Sequence, residues 1–147
     1  MKISILLPYK ENFSPKYPGA VSINIKDTIK HSKYKNMITV YGSTTYKKKY
    51  HKSYKNLIFK NNFLTSSSKA YLRKFVEEEN KKKSDFIEIH NRPEYIEFLY
   101  KYNSNLVLFY HNDPLSMKYS KTINERSKLI QKTKKIIFNS NWTKKRF

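Results

Sequence analysis

The chain has 147 residues and a mass of 17.8 kDa, material for one ordinary domain able to bury roughly 68–70% of its unfolded surface. Thirty-one Lys and Arg against eleven Asp and Glu give a formal charge of +20 and a pI near 10, a balance that points toward nucleic acid or an anionic membrane surface. The absence of cysteine excludes a disulfide framework, a thiolate metal site and a cysteine nucleophile, and makes the cytoplasm the expected compartment.

The first element is the apolar run at residues 3–7, closed by Pro8; it is far too short for a spanning helix or a signal segment. Further short runs rich in Ile, Val, Phe and Tyr follow at 37–41, 57–59, 86–89, 106–110 and 136–138, each flanked by Asn, Ser, Gly or Pro, and all six read as buried strands. Helix-length stretches lie between them, at 20–31, 67–82, 93–102 and about 122–133. In the second of these, Ala70, Tyr71, Phe75 and Val76 share one side, and Glu77, Glu78 and Glu79 lead into lysines at a solvated end. Pro93 opens the third, with Ile96 and Leu99 following at a spacing of three. Residues 41–56 form the one long connection without an apolar period, a mobile surface loop or small excursion. A last helix begins at Asn141, with Asn141 or Thr143 as its cap. The chain stops within its second turn, an ending expected of a fragment or of a gene cut short. Strands alternating with helices, several strands apolar on both faces, predict a single α/β domain: a Rossmann-like, mostly parallel sheet with helices on both faces.

Composition tempers the charge. Lys, Asn, Ile, Tyr, Phe and Met supply 80 of the 147 residues, whereas Gly, Ala, Arg and Pro supply 13. These are the AT-rich and GC-rich codon sets, so a biased genome accounts for much of the lysine. The Tyr/Lys alternation at residues 46–55 has the composition of a base-stacking, phosphate-neutralising loop. Only four arginines are present, which tells against bidentate guanine readout.

Ligands of open parallel sheets bind outside the carboxyl ends of the strands, where loops converge and helices aim their first N–H groups. There the chain places Pro18-Gly19-Ala20 at the mouth of the first helix. Gly19 would let a substrate approach the backbone, and the helix amides would favour a phosphate or a sugar hydroxyl. After two neighbouring strands come His90-Asn91-Arg92-Pro93 and His111-Asn112-Asp113-Pro114. A histidine there can exchange a proton near neutral pH or hold a hydroxyl, and Arg92 offers a planar fork for an oxyanion. Two histidines with Asp113 lack any H-E-x-x-H or comparable metal spacing, and no G-x-S-x-G nucleophile elbow is present. No metal site is therefore expected.

Four segments, in order over the whole chain, resemble the N-terminal half of glycosyltransferase family 4 enzymes. They are residues 3–8 with Pro18-Gly19-Ala20; Asp85-Phe86-Ile87-Glu88-Ile89-His90-Asn91-Arg92-Pro93; residues 106–114; and residues 136–147 with Asn139-Ser140-Asn141-Trp142. The resemblance implies a GT-B enzyme: two Rossmann-like domains across a cleft, the first holding the acceptor and the second the nucleotide-sugar donor. It implies an anomer-retaining, metal-independent hexosyltransferase of cell-envelope glycan (lipopolysaccharide or polysaccharide) synthesis, with a nucleotide sugar as substrate and no further cofactor. Carried over, Gly19 and Ala20 lie near donor phosphates and acceptor, although this loop has one glycine where many relatives have two. His111 is the active-site histidine that contacts the transferring sugar; His90, Asn91 and Arg92 line the acceptor side, with Asn112 and Asp113 beside His111. The donor-binding domain has no counterpart in the 147 residues, so the chain alone is expected to have little or no transferase activity. A glycan or lipid-linked acceptor, and an anionic inner-membrane surface reached peripherally, are the partners this implies. A basic nucleic-acid-binding α/β module is the alternative.

Overall fold

The computed structural model describes residues 1–60 and 66–147. Its elements alternate as expected for an α/β fold: β1 (Ile3–Leu6), α1 (Ala20–His31), β2 (Ile38–Gly42), β3 (Tyr54–Asn56), α2 (Ser67–Lys81), β4 (Phe86–His90), α3 (Pro93–Leu99), β5 (Leu106–Tyr110), α4 (Ile123–Lys132), β6 (Lys135–Phe138) and α5 (Asn141–Arg146). Two compact units result, Met1–Asp85 and Phe86–Phe147. In both, every paired strand runs parallel to its neighbour, so the fold is Rossmann-like α/β.

In the first unit β2 lies between β1 and β3, with Ile5 opposite Val40 and Val40 opposite Tyr54. Side chains alternate across a strand, and the two faces of β1 and β2 meet different helices. Ile5, Leu7, Ile38 and Val40 pack with Val21, Ile25 and Ile29 of α1 and with Phe13. On the opposite face Tyr41 meets Phe75 of α2 edge-on at 5.1 Å, and the Tyr71 hydroxyl donates to the Leu7 carbonyl at 2.8 Å. The end of α2 departs from the expected solvated run, because Glu79 is only 7% exposed. Its carboxylate accepts from the Ser4 hydroxyl and, at 3.1 Å, from the Ser84 amide. A buried carboxylate needs such donors, and β1 supplies one through its single polar residue.

The sequence places a strand at 57–59; the structure forms β3 three residues earlier, inside the stretch read as a long loop. Tyr54-Lys55-Asn56 carries no apolar signature because it is a half-exposed edge strand held by backbone pairing to β2. Leu57 is buried beyond its end. Tyr50 and Tyr54, read as part of a Tyr/Lys surface loop, turn inward onto Phe13 at 5.5 and 5.7 Å.

In the second unit β5 lies between β4 and β6, with Ile89 opposite Leu108 and Leu108 opposite Ile136. One face, carrying Ile87, Ile89, Leu106, Leu108 and Tyr110, is fully buried. The Tyr110 hydroxyl bonds the Ser120 hydroxyl at 2.7 Å, and burial raises its pKa. The other face presents Glu88, His90, Val107 and Phe109, less covered apart from His90. α3 ends at Leu99 rather than 102, where the Tyr102 and Asn103 amides both turn back to the Leu99 carbonyl. α4 opens on a reciprocal Thr122–Glu125 capping box. α5 is capped by Ser140, not Asn141 or Thr143: the Ser140 hydroxyl accepts from the Thr143 amide at 3.1 Å.

Candidate functional site at the carboxyl ends of the strands

In the second unit, strand alternation and register assemble the polar residues. Glu88 and His90 are two apart on β4 and share a face; parallel pairing sets His90 opposite Phe109, so Phe109 and His111 extend that face. The three rings lie nearly parallel, with centroid separations of 5.2 Å for His90–Phe109, 4.6 Å for Phe109–His111 and 5.1 Å for His90–His111. His90 is 1% exposed and both its nitrogens are engaged: Nε2 with Glu88 Oε1 at 2.6 Å, and Nδ1 with His111 Nε2 at 2.7 Å. Glu88, His90 and His111 thus form a hydrogen-bonded series from a half-exposed carboxylate through a buried imidazole to a half-exposed one.

The main chain of His111 is fixed from both sides. Its amide donates to Asn91 Oδ1 at 2.8 Å, and its carbonyl accepts from Asn139 Nδ2 at 2.8 Å. Asn91 also accepts from the Asn112 amide at 3.3 Å, and its own amide donates to Phe109 at 2.9 Å. Asn91 adopts φ 51°, the left-handed region that asparagine enters more readily than most residues. Its side chain therefore ties the end of β4 to the start of the loop after β5.

Burial, reinforced by the repulsion that a protonated His90 would exert on a second cation and partly opposed by attraction from Glu88, pushes His111 down to about 4. His111 is neutral at physiological pH. Its Nδ1 makes no hydrogen bond among the described residues and is not sealed from solvent. Asp113 is drawn low by the Arg146 guanidinium, which reaches its Oδ2 at 2.8 Å, and its Oδ1 accepts from the Leu115 amide at 3.0 Å. Asn112 is exposed. Arg92 stands at the N-cap position of α3 without a side-chain cap bond; its Nη1 donates to the Asn91 carbonyl at 3.0 Å and its Nε lies 3.8 Å from Glu94. Burial raises Glu94. Among the described residues no group of three or more His, Cys, Asp or Glu is placed to hold a metal ion.

Gly19 and Ala20 belong to the first unit. Gly19 is the N-cap of α1 with φ −81°, an ordinary conformation, and it offers no side-chain cap. Glu11 takes that role from within the β1–α1 loop: its Oε1 accepts from the Ser22 amide at 3.0 Å. A Cβ on Gly19 would collide with the Glu11 carboxylate. The space left by the missing side chain, and an amide at the helix mouth, are thus taken by the chain's own carboxylate. Loop contacts continue from Asn12, whose Oδ1 accepts from the buried Thr44 hydroxyl at 3.1 Å.

Glu88, bonded to His90, and Asn139, bonded to the His111 carbonyl, are not among the candidate site residues named from the sequence, although both lie in segments that carry the resemblance. Glu88 had one local signal, its i, i+2 spacing from His90 on a strand; Asn139 had none beyond its place at a strand end. Comparison with family models, curated proteins and solved structures returned no match to this chain.

Proposed function

We propose that the chain is the acceptor-side half of a nucleotide-sugar-dependent, anomer-retaining glycosyltransferase of the GT-B type, similar to family 4 enzymes and acting on cell-envelope glycan. The observation that carries this reading is a neutral imidazole, His111, rigidly mounted at the carboxyl end of a parallel strand with one nitrogen left over for a ligand. Such a group suits a sugar hydroxyl, which needs a directional hydrogen bond and no charge. Arg92 is the candidate partner for an oxyanion or hydroxyl beside it. Catalysis by positioning requires donor and acceptor to be held together, so the 147 residues mixed with a nucleotide sugar and an acceptor are expected to transfer nothing.

Saturation-transfer NMR against a panel of neutral oligosaccharides tests the reading. Saturation should reach a saccharide from the wild-type chain and be lost in His111→Ala at unchanged circular dichroism. The nucleic-acid alternative predicts salt-steep binding that disappears when Lys47, Lys48 and Lys49 are replaced. It is disfavoured by Tyr50 and Tyr54, whose rings pack on Phe13 rather than standing free to stack bases. The charge of +20 supports peripheral contact with anionic lipid. Among the described residues no helix is long and apolar enough to cross a membrane. Vesicle sedimentation should show salt-sensitive binding to anionic but not neutral vesicles; equal binding to both would remove the membrane from the account.

A further inference from the structure

The Glu88–His90–His111 series constrains where its protons can sit. An ionised carboxylate only accepts hydrogen bonds, so the 2.6 Å contact between Glu88 Oε1 and His90 Nε2 requires the proton on His90 Nε2. Neutral His90 then offers a lone pair at Nδ1. The 2.7 Å contact between His90 Nδ1 and His111 Nε2 needs one proton in turn, and it must belong to His111 Nε2. Neutral His111 has no second proton, and its Nδ1 carries a lone pair. The competing arrangement makes His90 an imidazolium that donates to both neighbours and leaves the proton of His111 on Nδ1. That arrangement buries a cation at a residue only 1% exposed, in a chain already at +20. The Glu88 side chain, 25% exposed, reaches solvent. Burial and like charge both favour the neutral series.

We propose that Glu88, acting through His90, is a positioning residue that fixes His111 as the Nε2–H tautomer, so that Nδ1 presents a hydrogen-bond acceptor to a hydroxyl of a neutral ligand. The ligand class follows from the polarity. A lone pair accepts from a hydroxyl and repels a phosphate or carboxylate oxygen, and a chain at +20 disfavours a cationic donor, so this end of the site suits the hydroxyl of an uncharged group. Phe109, stacked beside His111, holds the ring in plane. Naming the hydroxyl as a saccharide's rests on the acceptor-side reading; the tautomer does not.

The test is a long-range ¹H–¹⁵N correlation spectrum of the histidine side chains in the ¹⁵N-labelled 147-residue chain at neutral pH, with His111 assigned by His111→Asn. The wild type should show a pyrrole-type Nε2 and a pyridine-type Nδ1 for His111, essentially one form. Glu88→Gln should turn that single form into a mixture of the two tautomers, because a carboxamide can either donate to or accept from His90. A wild-type His111 protonated at Nδ1, or a tautomer unmoved by Glu88→Gln in a folded variant, overturns the proposal. If Glu88→Gln does not fold, the wild-type spectrum decides. The Nε2–H form together with saccharide contacts that vanish in His111→Ala supports both readings. The Nε2–H form with no saccharide contact keeps the relay and removes the transferase.

Discussion

At the mouth of α1 the chain meets its own helix with its own anion: Glu11 accepts from the Ser22 amide and fills the space beside Gly19. After β5 the chain spends its polar groups differently. Asn91 and Asn139 hold the backbone of His111, Glu88 and His90 hold one edge of its ring, and Nδ1 is left unpaired among the described residues. Both loops follow a strand of a parallel sheet, the place where ligands of such sheets bind. The difference lies in who satisfies the polar atoms, and it teaches that a glycine at a helix mouth marks space without saying whether ligand or protein fills it.

Removing the Asn91 strap should have the largest effect. Asn91→Ala leaves the His111 amide unpaired and puts a Cβ-bearing residue without a polar side chain at φ 51°, for a loss of about 2–3 kcal/mol in urea unfolding. Asn91→Gly should recover about 1 kcal/mol, the conformational part alone. If alanine and glycine cost the same, strain plays no part.

Gly19→Ala comes next. The backbone tolerates alanine there and the Glu11 carboxylate can swing aside, so the cost of about 1 kcal/mol comes from losing its bond to the helix. In a Glu11→Ala background the same substitution should be nearly neutral. A double-mutant cycle reads this directly, and additive losses would show that Glu11 is not what fills the space.

The pH dependence should be smaller. His111 lies lowered to about 4 in the folded chain against about 6.5 when unfolded. The unfolded chain therefore binds more protons between these values, and stability rises with pH across that window. The contribution is complete above about 6.5 and is lost as pH falls toward 4, muted because the ring is partly solvated. Chemical unfolding along a pH series should show this slope in wild type and a shallower one in His111→Asn. Smallest of all is Asp113→Asn, which breaks an exposed pair with Arg146: a marginal drop in the thermal midpoint, erased by salt.

Much of the fold was legible because burial writes itself into residue type. β5 and α2 fall where an apolar run and a one-sided apolar face place them, the strand because its alternate residues are fully buried. β3 was not legible, since Tyr54-Lys55-Asn56 is held by backbone pairing and the apolar residues that mimic a strand come after it. Glu79 looked solvated for the same kind of reason: its partners Ser4 and Ser84 lie on other elements. At the site, His90 and His111 declared themselves by ending two strands. Their connection to each other and to Asn139 depends on register between segments about twenty or more residues apart, which no local pattern encodes, whereas Glu88 meets His90 two residues along the same strand.

The comparison of the two loops is tested most directly by titrating the ¹⁵N-labelled chain with a neutral oligosaccharide and, separately, with inorganic phosphate, while following the amides of Gly19, Ala20 and Ser22 and the side chain of His111. Saccharide should shift His111, and phosphate should leave the α1 amides where they are. Phosphate shifting the α1 amides, with His111 silent to every saccharide, would contradict the account.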